Sequence, residues 1–132
     1  MELLGAVPRP NLGALFRRAD ALLLPSLTEP WGIVVVEALG MGLPVIATPA
    51  VGAAVSLATT SAAILLSADC HPQSVVAAVR RFLEKQSGMT KAARDTASVI
   101  RSRFDRIAVA KATLRLVYGG QSDIGHPPAS PG

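Results

Sequence analysis

No lysine or arginine occurs between Arg18 and Arg80. The middle of the chain therefore has no side-chain cation to neutralise a diphosphate or another polyanion. Aromatic residues are scarce: three Phe, one Tyr and one Trp. A core must be built from Ala, Val, Leu and Ile instead. The single cysteine, Cys70, rules out an internal disulfide and favours a reducing, cytoplasmic setting. No base and orienting group can be read around it, so it is taken as a small packed residue and not a nucleophile. Metal-ligand spacing is missing as well. His71 and His126 are isolated and read as surface residues, so no metal is expected. The start of the chain lacks a secretory pattern, because Glu2–Val7 is short and opens with an acid.

Apolar material is plentiful. Half of the 132 residues are hydrophobic and 17% are charged, which suits one domain with a core and excludes global disorder. The net charge of +4 is uneven. From Arg80 to Tyr118 bases greatly outnumber the acids Glu84, Asp95 and Asp105. Solvated helix faces explain this block. Attraction to an acidic surface, such as anionic lipid, is the sharper reading. A nucleic-acid partner is not expected, for no DNA- or RNA-binding motif accompanies the charge.

Short apolar runs between prolines set the organisation. Leu3–Val7, ended by Pro8, reads as a strand. Leu12, Leu15, Phe16 and Ala19 recur at helical spacing after Pro10-Asn11. Ala21–Leu24, Val45–Thr48 and Ala63–Leu66 are further strands. Their unbroken apolar character points to a parallel sheet covered on both faces. Ile33–Leu39 reads as a helix stopped by Gly40 and Gly42, and Ala53–Thr60 as a short helix. Beyond Pro72 the spacing predicts three helices: one carrying Val75, Val79 and Phe82, a second over Thr90–Arg101 after a break at Gly88, and a third over Asp105–Tyr118. The tail 119–132 is rich in Gly, Pro and Ser and is expected to be disordered. The alternation of strands and helices implies a doubly wound α/β domain over residues 1–118. A membrane span is the rival for residues 38–68, which carry no charge. Pro44, Pro49 and three glycines interrupt that run, and no cation flanks it closely.

The chemistry gathers in Pro25–Leu39. A loop after a parallel strand feeds a helix start there, and such crevices bind ligands in open α/β sheets. The amides near Gly32, Ile33 and Val34 would point at an anion. Gly32, having no Cβ, would let a phosphate or sugar hydroxyl come close. Glu37, set among Val and Ala, would need a partner such as the hydroxyls of a ribose. A capping box is the competing explanation, because Ser26-x-x-Glu29 precedes an apolar run. Trp31 fits either a core or interface position or the wall of a sugar pocket.

Glu29-Pro30-Trp31-Gly32 and Glu37-Ala38, followed by Gly42-Leu43-Pro44-Val45-Ile46-Ala47-Thr48, resemble the E-x7-E signature of retaining glycosyltransferases of the GT-B fold. That group, usually called family 4, includes relatives similar to glycogen synthases, sucrose synthases and bacterial mannosyltransferases. The flanks also resemble it, from Leu4–Val7, Leu15-Phe16, Ala19–Ala21 and Leu24–Ser26 through Leu65–Asp69 to Arg103–Tyr118. The likeness covers about residues 2–118 and matches the C-terminal, nucleotide-sugar-binding domain in part.

The resemblance implies transfer of a sugar from a nucleoside-diphosphate sugar to an acceptor hydroxyl. Glu37 would accept hydrogen bonds from the nucleotide ribose. Glu29 would hold donor-sugar hydroxyls and act as the catalytic carboxylate. The amides of Trp31, Gly32, Ile33 and Val34 would face sugar and phosphate. No cofactor or metal is expected. Three departures stand out. Pro49–Val55 keeps one glycine and no acid where many relatives carry a Gly-Gly pair and a glutamate. The basic pair that neutralises the diphosphate in relatives lies upstream of the matched region. The N-terminal acceptor-binding domain has no counterpart here, so it is expected on another chain or in a missing portion, and this chain is expected to be inactive alone. Two rivals remain: a non-catalytic nucleotide-sugar-binding or interaction module, and a peripheral membrane protein held by the basic helices at the inner membrane face.

Overall fold

Continuous apolar triplets can pair only where both faces are covered, and the chain supplies that cover with helices. The computed structural model describes residues 3–105. Its order is α1 (Arg9–Arg18), β1 (Leu22–Leu24), α2 (Ile33–Gly40), β2 (Val45–Ala47), α3 (Gly52–Ala58), β3 (Ile64–Leu66) and α4 (Pro72–Arg103). The three strands form one parallel sheet in the order β1-β2-β3. Leu22, Leu23 and Leu24 pair with Val45, Ile46 and Ala47, which pair in turn with Ile64, Leu65 and Leu66. The central strand is buried at every position, as a two-sided parallel sheet requires.

Burial follows the helical period. Ile46 and Leu65, register partners in the sheet, pack against Ala78, Phe82 and Met89 of α4. Helix α2 lies on β2 and α3 on β3, with Val35, Ala38, Leu39, Ala53, Ala54 and Leu57 buried. Few aromatics are needed, because Phe82 is the one ring in this buried set.

By contacts the chain divides into residues 1–101 and residues 102–132. Of the second unit only 102–105 are described, where the Arg103 guanidinium lies 5.6 Å from the Phe104 ring centre. The expected helix over Asp105–Tyr118 and the tail 119–132 lie outside the described residues, apart from Asp105 itself, which is not helical. Among the described residues no helix is long and apolar enough to cross a membrane, and residues 38–68 form the end of α2, two strands, turns and α3 instead.

Two expectations are corrected. Leu3–Val7 is not a strand. Gly5 adopts φ +65°, which breaks an extended run, and Leu3 and Leu4 are exposed. Nor does Gly88 divide the helices: α4 runs unbroken for 32 residues. Glycine in a helix interior costs about 1 kcal/mol relative to alanine. The buried contacts of Phe82 and Met89 before and after it exceed that cost.

A Cβ on Gly88 would meet nothing within 4 Å. Gly88→Ala should therefore raise stability by about 0.5–1 kcal/mol in urea denaturation, with no loss of helical signal. At the head of α4, hydrogen bonds from the Ser74 hydroxyl and the His71 amide hold the Asp69 carboxyl below its ordinary 3.8. A lowered folded-state pKa stabilises the protein above the ordinary value and loses that effect as pH falls through the lowered one. Asp69→Asn should thus reduce Tm at neutral pH, and the difference from wild type should shrink as acid protonates Asp69.

Candidate functional site

The loops after β1 and β2 leave the same edge of the sheet side by side, and their backbones pair. Glu29 N–H donates to the Ala50 carbonyl at 3.2 Å, and Gly52 N–H to the Glu29 carbonyl at 3.1 Å. Ala53 N–H donates to the Trp31 carbonyl at 2.7 Å. Glu29 and Val51 thereby form a parallel bridge outside the main sheet. Below it the fully buried Thr48 donates its hydroxyl to the Ser26 carbonyl at 2.5 Å, and its amide reaches the Leu24 carbonyl at 3.4 Å.

Two glycines make this approach feasible. A Cβ on Gly52 would overlap the Pro30 carbonyl oxygen, so the two backbones meet only without a side chain there. Gly32 has φ +85°, and a Cβ on it would stand 2.9 Å from Val51 Cγ1 and 3.2 Å from Glu29 Cγ. The space on the Cβ side of Gly32 is thus taken by Val51 and Glu29. Gly32 serves to turn the chain into α2 and to let the glutamate stem pack.

Glu29 is half-buried, and its Oε1 accepts the Trp31 amide at 3.4 Å. It borders an open cleft of about 380 Å³ with Thr28 and Pro30 on one side and Pro49, Ala50 and Gly52 on the other. Val55 and Ser56 of α3 complete the lining, in which Glu29 supplies the charge and no cation is present. The capping box is overturned: α2 begins at Ile33 with Gly32 as its N-cap, no side chain caps it, and Ser26 lies six residues upstream of that cap.

The other expected site residues fall around α2. Trp31 and Ile33 are exposed, Gly32 is buried, and Val34 and Glu37 are half-buried. Glu37 sits one turn after Ile33 on the same side of α2, away from the buried Val35, Ala38 and Leu39. The structure joins Glu29, Trp31 and Gly32 in direct contact, while Glu37 does not border the 380 Å³ cleft. Thr28 and Ser56 are cleft residues to which motif reading gives no role, and Pro49 and Ala50 lie in the segment that departs from the family pattern. The parallel adjacency of β1 and β2 is the signal that finds them, since neighbouring strands of like direction set their following loops together.

Comparison with known proteins gives a consistent neighbourhood. A family profile described as glycosyl transferases group 1 matches residues 1–99. The chain is similar to a glycogen synthase of Mycobacterium tuberculosis, with 32% identity over 118 residues, or 87% of this chain and 28% of that protein. It is also similar to a D-inositol 3-phosphate glycosyltransferase of Pseudarthrobacter chlorophenolicus, with 48% identity over 42 residues, or 32% of this chain and 10% of the other. Among solved structures it resembles WaaG, a glycosyltransferase involved in lipopolysaccharide biosynthesis. That likeness has a TM-score of 0.63 and 25% identity, and covers 85% of this chain and 30% of WaaG. The chain therefore spans less than a third of the length of these relatives. Three parallel strands flanked by helices form an α/β fold resembling the GT-B glycosyltransferase WaaG.

The paired loops generate a graded stability prediction. Gly52→Ala forces backbone apart and should cost about 3 kcal/mol, the upper end of ordinary overpacking. Gly32→Ala should cost about 1–2 kcal/mol from its left-handed backbone alone. Thr48→Val strands the Ser26 carbonyl and should cost about 1–3 kcal/mol. Urea denaturation of the three variants checks the order, and a Gly52→Ala protein as stable as wild type would contradict the loop geometry.

Proposed function

This chain belongs to the glycosyl transferases group 1 family, and we propose that it supplies the donor side of a sugar transfer from a nucleoside-diphosphate sugar to an acceptor hydroxyl. The observation that carries this reading is Glu29, held by paired backbone at the carboxyl edge of a parallel sheet and bordering an open cleft. The relatives' names, a glycogen synthase and inositol-phosphate and lipopolysaccharide glycosyltransferases, agree with such chemistry.

In this reading Glu29 accepts hydrogen bonds from donor-sugar hydroxyls and supports positive charge as the glycosidic bond breaks. The amides at the head of α2, at Gly32, Ile33 and Val34, face the phosphate, because helix geometry leaves them no carbonyl one turn earlier. The Trp31 amide shares a hydroxyl with Glu29 when sugar is bound. Glu37 accepts from the ribose diol. No metal ion or organic cofactor takes part, and the hydroxyls, amides and carboxylates carry the recognition.

A helix N-terminus offers an anion about 2 kcal/mol at best, less than a diphosphate needs. The cleft lining adds no cation. The remaining positive charge therefore comes from residues upstream of these, and the acceptor site from an acceptor-binding domain, in the same protein or on a partner chain. The basic residues of α4 offer a peripheral contact to the inner face of an anionic membrane, in a cytoplasmic setting.

The test uses the 132-residue chain alone and together with an acceptor-binding domain from a relative. Alone it should bind nucleotide sugars weakly and show no transfer, since orienting both substrates needs both halves. In the complemented enzyme Glu37→Gln should weaken donor binding by about 1–3 kcal/mol, and Glu29→Gln should depress kcat more than it raises KM. Variants that lose stability but keep donor binding and turnover would make both glutamates structural.

A further inference from the structure

The C-terminal end of α2 shows where its last carbonyls go, and the accounting closes on one distant side chain. A helix leaves four carbonyls without partners inside itself. In α2 these belong to Glu37, Ala38, Leu39 and Gly40. Met41 N–H donates to the Glu37 carbonyl at 3.1 Å, Leu43 N–H to that of Ala38 at 3.0 Å, and Gly42 N–H to that of Leu39 at 2.9 Å. With Gly42 at φ +76°, this is a Schellman stop. It serves three carbonyls and leaves the fourth. The Arg101 guanidinium, 61 residues further on and near the end of α4, donates from Nη1 to the Gly40 carbonyl.

The contact is built for close approach. A Cβ on Gly40 would stand 3.3 Å from Arg101 Cγ. One on Gly42 would stand 3.3 Å from Arg94 Cγ and 3.5 Å from Arg94 Cα. Arg94 and Arg101 are seven residues apart and share one side of α4. The two glycines thus act as more than helix stops: they are the seat on which α4 rests. The cation also lies at the negative end of the helix dipole, where it is favourable.

We infer that Arg101 is a positioning residue for the donor site, holding α2 by its carbonyl end so that Glu37 and the amides at the opposite end keep their orientation. The inference rests on the donor-site reading above. Helix α2 has eight residues, so its two ends are about 12 Å apart. Over two turns, rocking at the C-terminus displaces Glu37, which lies three residues before Gly40. At the N-terminal end α2 has no side-chain cap to oppose such motion. Beyond the packing of Val35, Ala38 and Leu39, its two ends are held by the Gly32 turn and by Arg101.

The experiment uses the 132-residue chain with Arg101→Met, which keeps the apolar stem, and Arg101→Lys, which keeps the cation. Amide hydrogen exchange over α2 and titration with UDP-glucose, ADP-glucose and GDP-mannose by NMR are read together, with Glu37→Gln as the control. Circular dichroism confirms the fold, and Arg101→Gln, an uncharged donor, replaces the Met variant if that one does not fold. The expected result is faster exchange at Val36–Met41 and about tenfold weaker binding of the preferred nucleotide sugar in Arg101→Met, with most of both recovered in Arg101→Lys. Unchanged exchange in Arg101→Met overturns the inference. So does faster exchange with unchanged binding, because Arg101 then holds the helix without serving the site. If Glu37→Gln weakens binding and Arg101→Met does not, the donor site stands and the positioning role falls. If the wild type binds none of the three probes, the donor-site reading fails first, and the positioning role built on it falls with it.

Discussion

The approach of the Gly52 backbone to the Pro30 carbonyl decides how this edge of the sheet is built. In a parallel sheet the loops after neighbouring strands start about 4.8 Å apart and usually diverge into their helices. Here they stay paired for several more residues, as Glu29 N–H to Ala50, Gly52 N–H to Glu29 and Ala53 N–H to Trp31 show. The short sheet is in effect extended by a bridge made of loop. Glu29 takes its place from that bridge and not from a helix. An acid on an ordinary loop would pay conformational entropy on meeting a ligand, and one with a fixed backbone pays less.

Much of the fold could be read from the sequence because its strands are short, apolar and bounded by prolines. Pro25 ends the Leu22–Leu24 strand and Pro44 directly precedes Val45–Ala47, and the left-handed Gly32 and Gly42 bound α2 almost to the residue. The misreadings have a common physical source. An apolar run marks Leu3–Val7 and a glycine marks position 88, and at each the surroundings decide. Around Gly5 no packing holds the chain extended, and Leu3 and Leu4 stay in solvent. Around Gly88 the buried neighbours of α4 override the weak helix propensity.

The site was legible to a different depth. The spacing of Glu29 and Glu37 gave the motif, and Gly32 fell at the start of α2 as expected. The clamp made by Val51 and Gly52 was not legible, because it is backbone pairing between segments more than twenty residues apart in sequence. Such pairing leaves no periodic side-chain trace. Its one sign was a lone glycine kept in a loop where the rest of the pattern was lost. The neighbours on the Cβ side of Gly32 are illegible for the same reason: a missing Cβ tells of close approach but does not name what approaches.

Glu29 and Glu37, eight residues apart, belong to unlike supports. Glu29 rides on paired loop backbone, while Glu37 rides on a helix of eight residues, too short to be stable on its own account. Their relative position is therefore set by whatever fixes α2 against the loops. At one end the fixing point is Gly32, packed between Val51 and Glu29. At the other it is the Gly40–Gly42 seat under Arg94 and Arg101. Sequence spacing places one acid on the cleft and the other on the helix that follows, and on our inference the distance between their carboxylates depends on α4, whose contact residues lie more than fifty positions downstream. A motif of eight intervals is thus completed by residues that the motif does not contain.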